Sequence, residues 1–432
     1  MKRVGQEIFS SSLEQDFKVA ESDFTRTRKL SFSNTLLFMM NLLTKSLSIE
    51  IENFVSHLRQ NCGLTSCKSF TKSAFVQCRK KIQPRVFKKL SSILVEEFYT
   101  DNDLAIKLWN GFRLLAVDGS AITLPFTKEL QQRYGLTKNQ TNTGVIQARV
   151  SVLYDVLNHY VLDSVLSTKQ IGERVLALKH LVKSKAKDLI IYDRGYPSYD
   201  FIDNHQRKGI DYLMRVKVSF SGVTKAFIAS GRTCQIVEIY PGKDVDTSTK
   251  QYDKNTPIKV RLIRIDLPSG EIELLMTSLI DNKKYRYNMF KELYFKRWKV
   301  ETFYDELKNK LKVEYFSGYS HQSILQDFHT AIFISNVQTL IVSDLEQEIK
   351  QITKNRKLDY KVNNNLSYGF LKNKIITLFF SNTNTHQVVD QLKILFKREL
   401  VPVRPNRSNK RNVGKYRRRE KPKVTKNQKD TM

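Results

Sequence analysis

The chain has 432 residues, 41% of them hydrophobic and 11% aromatic, which is enough for sizeable cores and excludes a disordered protein. Lys and Arg outnumber Asp and Glu by 73 to 43, a formal net charge of +30, so the expected partner is a polyanion, nucleic acid ahead of an anionic membrane surface. The four cysteines (Cys62, Cys67, Cys78 and Cys234) form no CxxC pair and no zinc-ligand spacing, so they read as reduced thiols of a cytosolic protein.

The first residues, MKRVGQEIFSSSLEQDF, carry no apolar core and are not read as a signal peptide. The longest apolar run, Thr35 to Leu43 (TLLFMMNLL), is too short to span a bilayer. Residues 1–100 repeat apolar side chains three and four apart and predict a helical N-terminal domain. Within it, Thr71 or Ser73 can cap a helix carrying Arg79, Lys80 and Lys81. Two readings stay open for that helix: a DNA-binding element that meets a groove or phosphates, or one face of a small cationic bundle.

The pattern changes over residues 101–217. FRLLAVDGSAITLP, ARVSVLYDVLN, YVLDSVLST, DLIIYDRGY and DYLMRVK are short and rich in Val, Ile, Leu and Tyr, and they predict buried strands. The tight link around His159 predicts a hairpin, and helical stretches at 171–183 and 198–208 predict βαβ units. Residues 218–280 predict a β-rich insertion with no helix, turning at Leu267-Pro268-Ser269-Gly270. Helices return over 281–398. Residues 399–432 are almost all polar and basic, a tail expected to be disordered alone and able to lie along phosphates, with Arg417, Arg418 and Arg419 at its centre.

Among these cations, three acids stand out. Asp118 closes the apolar run LLAV, and Asp193 closes LIIY. In open α/β sheets ligands gather at the carboxyl ends of strands, and two carboxylates there suit a hard divalent cation. Each alone is also an ordinary turn aspartate. The third acid, Glu301, lies in YFKRWKVETFYDELKNK, which reads as one helix. At about 100° per residue, Arg297, Glu301 and Lys308 fall within about 60° of Tyr294, with Trp298 at the margin, while Leu293, Val300, Leu307 and Leu311 form a separate apolar stripe. A plain ion-pair helix is the alternative.

The spacing Tyr-x2-Arg-x3-Glu-x6-Lys, met by Tyr294, Arg297, Glu301 and Lys308, resembles the Y-R-E-K signature of bacterial insertion-sequence DDE transposases of the IS-four type. VDGSAITLP and YDRGY resemble that family's two aspartate segments, and the likeness runs from about Phe32 to Arg411. The resemblance implies an RNase H-like fold: α/β, a mixed sheet with flanking helices, and a β-rich insertion before the helix that carries the catalytic Glu. It implies that Asp118, Asp193 and Glu301 hold two Mg²⁺ (Mn²⁺ being a substitute). By the same resemblance, Tyr294, Arg297 and Lys308 grip phosphates beside the cut. Arg194 joins them as a DNA contact, and Trp298 either stacks on an unpaired base or packs. The implied partners are the element's terminal inverted repeats and target DNA, bound by a homodimer in the nucleoid-associated cytoplasm, with no membrane. Alternatives are a nuclease of the same fold that cuts without joining, a non-catalytic transposase-derived DNA-binding protein, and a basic protein of membrane surfaces, which lacks an amphipathic anchor.

Overall fold

The computed structural model describes residues 1–404 apart from 27, 44, 102–104, 138–143, 244 and 381–383. Arg417, Arg418 and Arg419 lie outside the described residues. The chain divides into two compact units. One takes residues 105–120 and 149–304; the other takes the described residues of 1–104, 121–148 and 305 onward.

The first unit is built on a mixed eight-stranded sheet. Its strands are β1 (Arg113–Thr123), β2 (Gln147–Asp155), β3 (Val161–Thr168), β4 (Asp188–Tyr192), β5 (Asp211–Val216), β6 (Cys234–Ile239), β7 (Ile258–Asp266) and β8 (Ile272–Thr277). They lie in the order β3-β2-β1-β4-β5-β8-β7-β6. β1 pairs with β4, and β4 with β5, in parallel. All five residues of β4 are buried, which is why DLIIY shows no alternation: a parallel strand covered on both faces needs apolar residues on both. β2 and β3 are joined by Val156–Tyr160, a hairpin in which His159 takes a left-handed φ of 65°. Helices Glu173–His180 and Tyr199–Arg207 make the crossovers into β4 and β5. The first five strands in this order form the RNase H-like sheet that the sequence predicts.

The stretch 218–280 is β-rich, as expected: β8 pairs antiparallel with β5, and β7 and β6 follow, so these strands continue the same sheet. It also holds a helix, Gly222–Ala229, opened by a capping box between Ser221 and Thr224. Eight residues with a largely apolar composition give the 3.6-residue period too little length to show. The turn at Leu267–Gly270 is as expected, with Gly270 at φ 82°.

The register of β1 on β4 decides where the acids go. Arg113 stands opposite Asp188, a sequence offset of 188 − 113 = 75, and the offset holds to Ala116 opposite Ile191. Asp118 and Asp193 differ by the same 193 − 118 = 75, so the register sets them side by side where the pair ends. At the start of the pair, Arg113 donates to both carboxylate oxygens of Asp188, at 2.8 and 2.7 Å, with both residues buried. Elsewhere in the sheet, Ser151, His180 and Asp163 are linked by bonds of 3.0 and 2.8 Å. Their exposures of 1%, 0% and 8% leave no path for a substrate, so this Ser-His-Asp set closes polar groups inside the core.

The second unit is helical. The helices Arg85–Asp101 and His321–Ser343 pack along each other, and Asn336 donates to Ser91 between them at 2.8 Å. The rings of Phe54, Phe70 and Phe75 all meet Phe38 edge-on. Thr71 caps the helix Lys72–Arg79, accepting from the Ala74 amide. That helix does not present Arg79 outward. Arg79 is 3% exposed and donates to Gln326, Ser317, the Ser323 carbonyl and Asp327. Its guanidinium is spent inside the unit, which corrects the expectation that it meets DNA. Lys81 pairs with Asp23 at 3.2 Å, and the Lys80 side chain is exposed. The expected tail also starts later than residue 399: Leu400–Pro402 pairs antiparallel with Tyr360–Val362. Among the described residues no helix is long and apolar enough to cross a membrane.

Candidate active site

Asp118 lies inside β1, where burial gives way to partial exposure, and its Oδ1 accepts the Gly119 amide at 2.8 Å. Burial pushes its carboxyl up to about 6, helped by the charges of Glu301 and Asp193 and opposed by the Gly119 amide and Arg297. Asp193 follows β4 directly, and the Tyr294 hydroxyl donates to its Oδ1 at 3.2 Å. Burial, and then Asp193 among its neighbouring acids, keeps that phenol protonated.

The segment carrying Tyr294 and Glu301 is not one helix. Met289–Phe295 ends in a turn at Lys296 and Arg297, Trp298–Asp305 forms a second helix, and Glu306–Lys310 winds into a π-turn. The second helix is seated by its apolar side. Val300, Phe303 and Tyr304 are buried; the Phe303 ring stacks on Tyr154 of β2 at 5.1 Å, and the Tyr304 hydroxyl donates to the Asp118 carbonyl at 2.7 Å. That seating brings Glu301 to the strand ends.

Arg297 occupies the middle of this group. Its Nη2 donates to Glu301 Oε1 at 3.0 Å, and its Nη1 stands 3.8 Å from Asp118 Oδ2. It is 5% exposed and lies over the rings of Tyr294 and Trp298, at 5.7 and 5.2 Å. Burial alone would lower its pKa, but Tyr294, Asp193, Asp118 and Glu301 outweigh that and hold the guanidinium protonated. Its Nε is buried without a partner. In this arrangement Arg297 faces the acids, not the outside where a phosphate would approach.

The remaining predicted residues divide. Trp298 is 45% exposed, with the Arg297 guanidinium over its ring at 5.2 Å. Arg194 is exposed in the turn after Asp193. Lys308 lies in the π-turn that follows the helix of Glu301 and belongs to the other compact unit. There it is half-buried; burial lowers its pKa, and Glu314 offsets part of that. The sequence reading missed two contributors. Tyr196, inside the quoted YDRGY, is 1% exposed with its hydroxyl unpartnered. Glu173 lies against Gly119. Only the position of Tyr196 beside Asp193 could have signalled either.

The donor chemistry fits a hard divalent cation: three carboxylates at two strand ends and a helix, with a buried phenol lacking a partner. Among the described residues no three His, Cys, Asp or Glu side chains close round one ion as they stand. The positive charge among the acids is the Arg297 guanidinium.

Asp118 and Asp193 thus stand just past the end of the β1–β4 pairing, and the seated helix delivers Glu301 to them. The family model of the transposase DDE domain matches residues 109–337, and the chain belongs to that family. Two curated proteins of Escherichia coli (strain K12) are similar. The putative transposase InsZ is 26% identical over 155 residues, 34% of this chain and 50% of that protein. The transposase InsG for insertion sequence element IS4 is 19% identical over 242 residues, 56% of this chain and 53% of that protein. The chain thus spans about half the length of each. Among solved structures, a piggyBac transposase synaptic complex with hairpin DNA aligns over 95% of this chain and 88% of that one at 11% identity, with a TM-score of 0.43 that is too low to bear on the fold.

Proposed function

We propose that the chain is the transposase of an insertion element, cutting DNA at the element's terminal inverted repeats and joining the freed ends to a target. The supporting observation is the convergence of Asp118, Asp193 and Glu301 on Arg297, produced by a strand register and a seated helix. Water attacks the phosphorus at the element's end, the P–O3′ bond breaks, and the products are a 3′-OH and a 5′-phosphate. The 3′-OH then attacks a target phosphodiester, whose own 3′ oxygen leaves.

Two Mg²⁺, or Mn²⁺ in their stead, would relieve charge on the phosphoryl oxygens and favour the attacking oxygen when bound. Asp118, Asp193 and Glu301 would hold them. Tyr294 keeps Asp193 Oδ1 oriented, and the Tyr304 hydroxyl ties the helix of Glu301 to β1. Arg194 and Lys308 are assigned to phosphates, and the exposed Trp298 ring offers a face on which an unpaired base can stack. Lys80 and Lys81 are assigned to DNA, Lys81 only if it leaves Asp23. The active assembly is a homodimer holding two DNA ends in the nucleoid-associated cytoplasm.

The test is incubation of the full chain with Mg²⁺, a DNA fragment carrying the ends that flank its own gene, and a supercoiled target. The expected products are nicked or excised ends and joined target molecules. Cleavage without joining would leave a nuclease of this fold; sequence-preferring binding without either reaction would leave the non-catalytic DNA-binding protein.

A further inference from the structure

We propose that Glu173 is a fourth acid of this metal site, set beside Asp118 by the missing side chain at Gly119. The proposal rests on the functional reading above and names a residue outside the three-acid signature.

Glu173 opens the helix that follows β3. A Cβ built at Gly119 would stand 3.1 Å from its Cδ and 3.1 Å from its Oε1, so the carboxyl lies against the backbone immediately after Asp118. Gly119 has no positive φ. Space, not backbone freedom, is therefore what the glycine provides, and the space is filled by a carboxylate. The Glu173 side chain is 44% exposed, so solvent reaches it on one side, and a positive group between it and Asp118 would favour both acids.

A second, independent observation points to the same spot. The Tyr196 hydroxyl is buried and has no hydrogen-bond partner. The charges it feels most are those of Asp118, then Glu173, then Asp193. A buried phenol among three carboxylates that bonds to none of them directly calls for an intervening oxygen-rich group, since buried hydroxyls are almost always paired. A divalent cation with its waters is such a group. Glu173 is only weakly neutralised by protein: Arg149 Nε is 3.7 Å from its Oε1, beyond hydrogen-bond reach, while Arg149 Nη1 is committed to the Ile171 carbonyl at 2.6 Å. The carboxylate thus keeps acceptor capacity to hold the cation's waters, the role of an outer carboxylate that orients a metal site.

The competing role is local: an acid in the first turn of a helix, favoured by the helix dipole and attracted by Arg149. Titration of the full-length chain with Mn²⁺ in the absence of DNA separates the two, alongside the melting temperature in EDTA. Glu173→Gln is expected to weaken Mn²⁺ binding by about tenfold or more. Gly119→Ala, which keeps the acid but displaces it, should weaken binding by a smaller factor. Asp118→Asn provides the reference for a lost site. Mn²⁺ affinity unchanged by Glu173→Gln, with binding lost in Asp118→Asn, overturns this proposal alone. Absence of Mn²⁺ binding in the wild-type chain overturns it together with the functional reading.

Discussion

The β1–β4 pair carries an arginine and acids at both of its ends, arranged in opposite ways. Where the strands start, one guanidinium meets one carboxylate through two short bonds, and Arg113 and Asp188 cancel. Where they finish, Arg297 is shared: 3.0 Å from Glu301, 3.8 Å from Asp118, with Nε unpaired. Three acids against one arginine leave a formal −3 + 1 = −2 in a partly buried place. The first arrangement is complete and needs nothing further. The second keeps a surplus of negative charge that is costly to bury and that a divalent cation would remove. The same residue types make a structural clamp at one end and a reactive site at the other.

Removing one partner at each end tests whether the two arrangements differ as described. Arg113→Ala leaves Asp188 charged and fully buried. It is expected to cost about 3–5 kcal/mol in urea unfolding. Glu301→Gln keeps a hydrogen-bond acceptor for Arg297 and should stay within about 1 kcal/mol of wild type, because Glu301 is part-exposed. Cleavage should vanish in Glu301→Gln and survive in Arg113→Ala at temperatures where that variant is folded. Equal stability losses at the two ends would erase the distinction.

How much of this was legible beforehand follows from what each feature depends on. The strands β1 to β5 were readable, because burial on two faces writes itself as unbroken apolar runs; their order in the sheet came only from the family resemblance. The neighbouring placement of Asp118 and Asp193 was implicit in their equal position after two apolar runs, LLAV and LIIY. The placement of Arg297 was not. A helical count treats residues 294–308 as one cylinder, and a turn at Lys296–Arg297 and a π-turn after Asp305 each reset it. Arg79 failed for a related reason: its partners Gln326 and Asp327 lie more than 240 positions away, and no local pattern announces a buried hydrogen-bond set that long-range packing creates. The β7–β8 hairpin was legible from its turn residues, whereas its addition to the edge of β5 depends on a pairing that sequence spacing does not encode.

A smaller effect separates the two ends by pH. Burial raises Asp118 from 3.8 to about 6 in the folded chain. A raised carboxyl favours folding below its unfolded value, and that contribution is lost as pH rises through about 6. Asp118→Asn removes the cost of the buried charge. The variant should therefore be more stable than wild type at pH 8, by on the order of 2 kcal/mol, and the gap should close as pH falls through 6 toward 4. Measurements in EDTA by urea unfolding at several pH values give the profile. A gap that stays constant with pH would show that Asp118 carries no such strain in the metal-free fold.

The smallest effect concerns Arg297 itself. A unit charge 4 Å from a carboxylate is worth about 4 kcal/mol at an effective dielectric near 20, and counter-ions and local relaxation offset much of it. Removing that charge makes the acid group more negative, which has two consequences of opposite sign. Without metal, the acids repel one another with no cation among them, so Arg297→Gln should lower the melting temperature. With metal, a divalent ion no longer competes with the guanidinium, so Mn²⁺ should bind about tenfold more tightly, or about 1.4 kcal/mol. Mn²⁺ should accordingly restore the melting temperature of Arg297→Gln more than it raises that of wild type. Arg297→Lys keeps the charge and should stay near wild type in affinity, although it loses the contacts of the flat guanidinium with Tyr294 and Trp298. Calorimetric titration and melting curves with and without Mn²⁺ read both effects. A lower melting temperature with unchanged affinity would make Arg297 an ordinary i,i+4 partner of Glu301, and the two ends of the strand pair would then differ only in the number of their bonds.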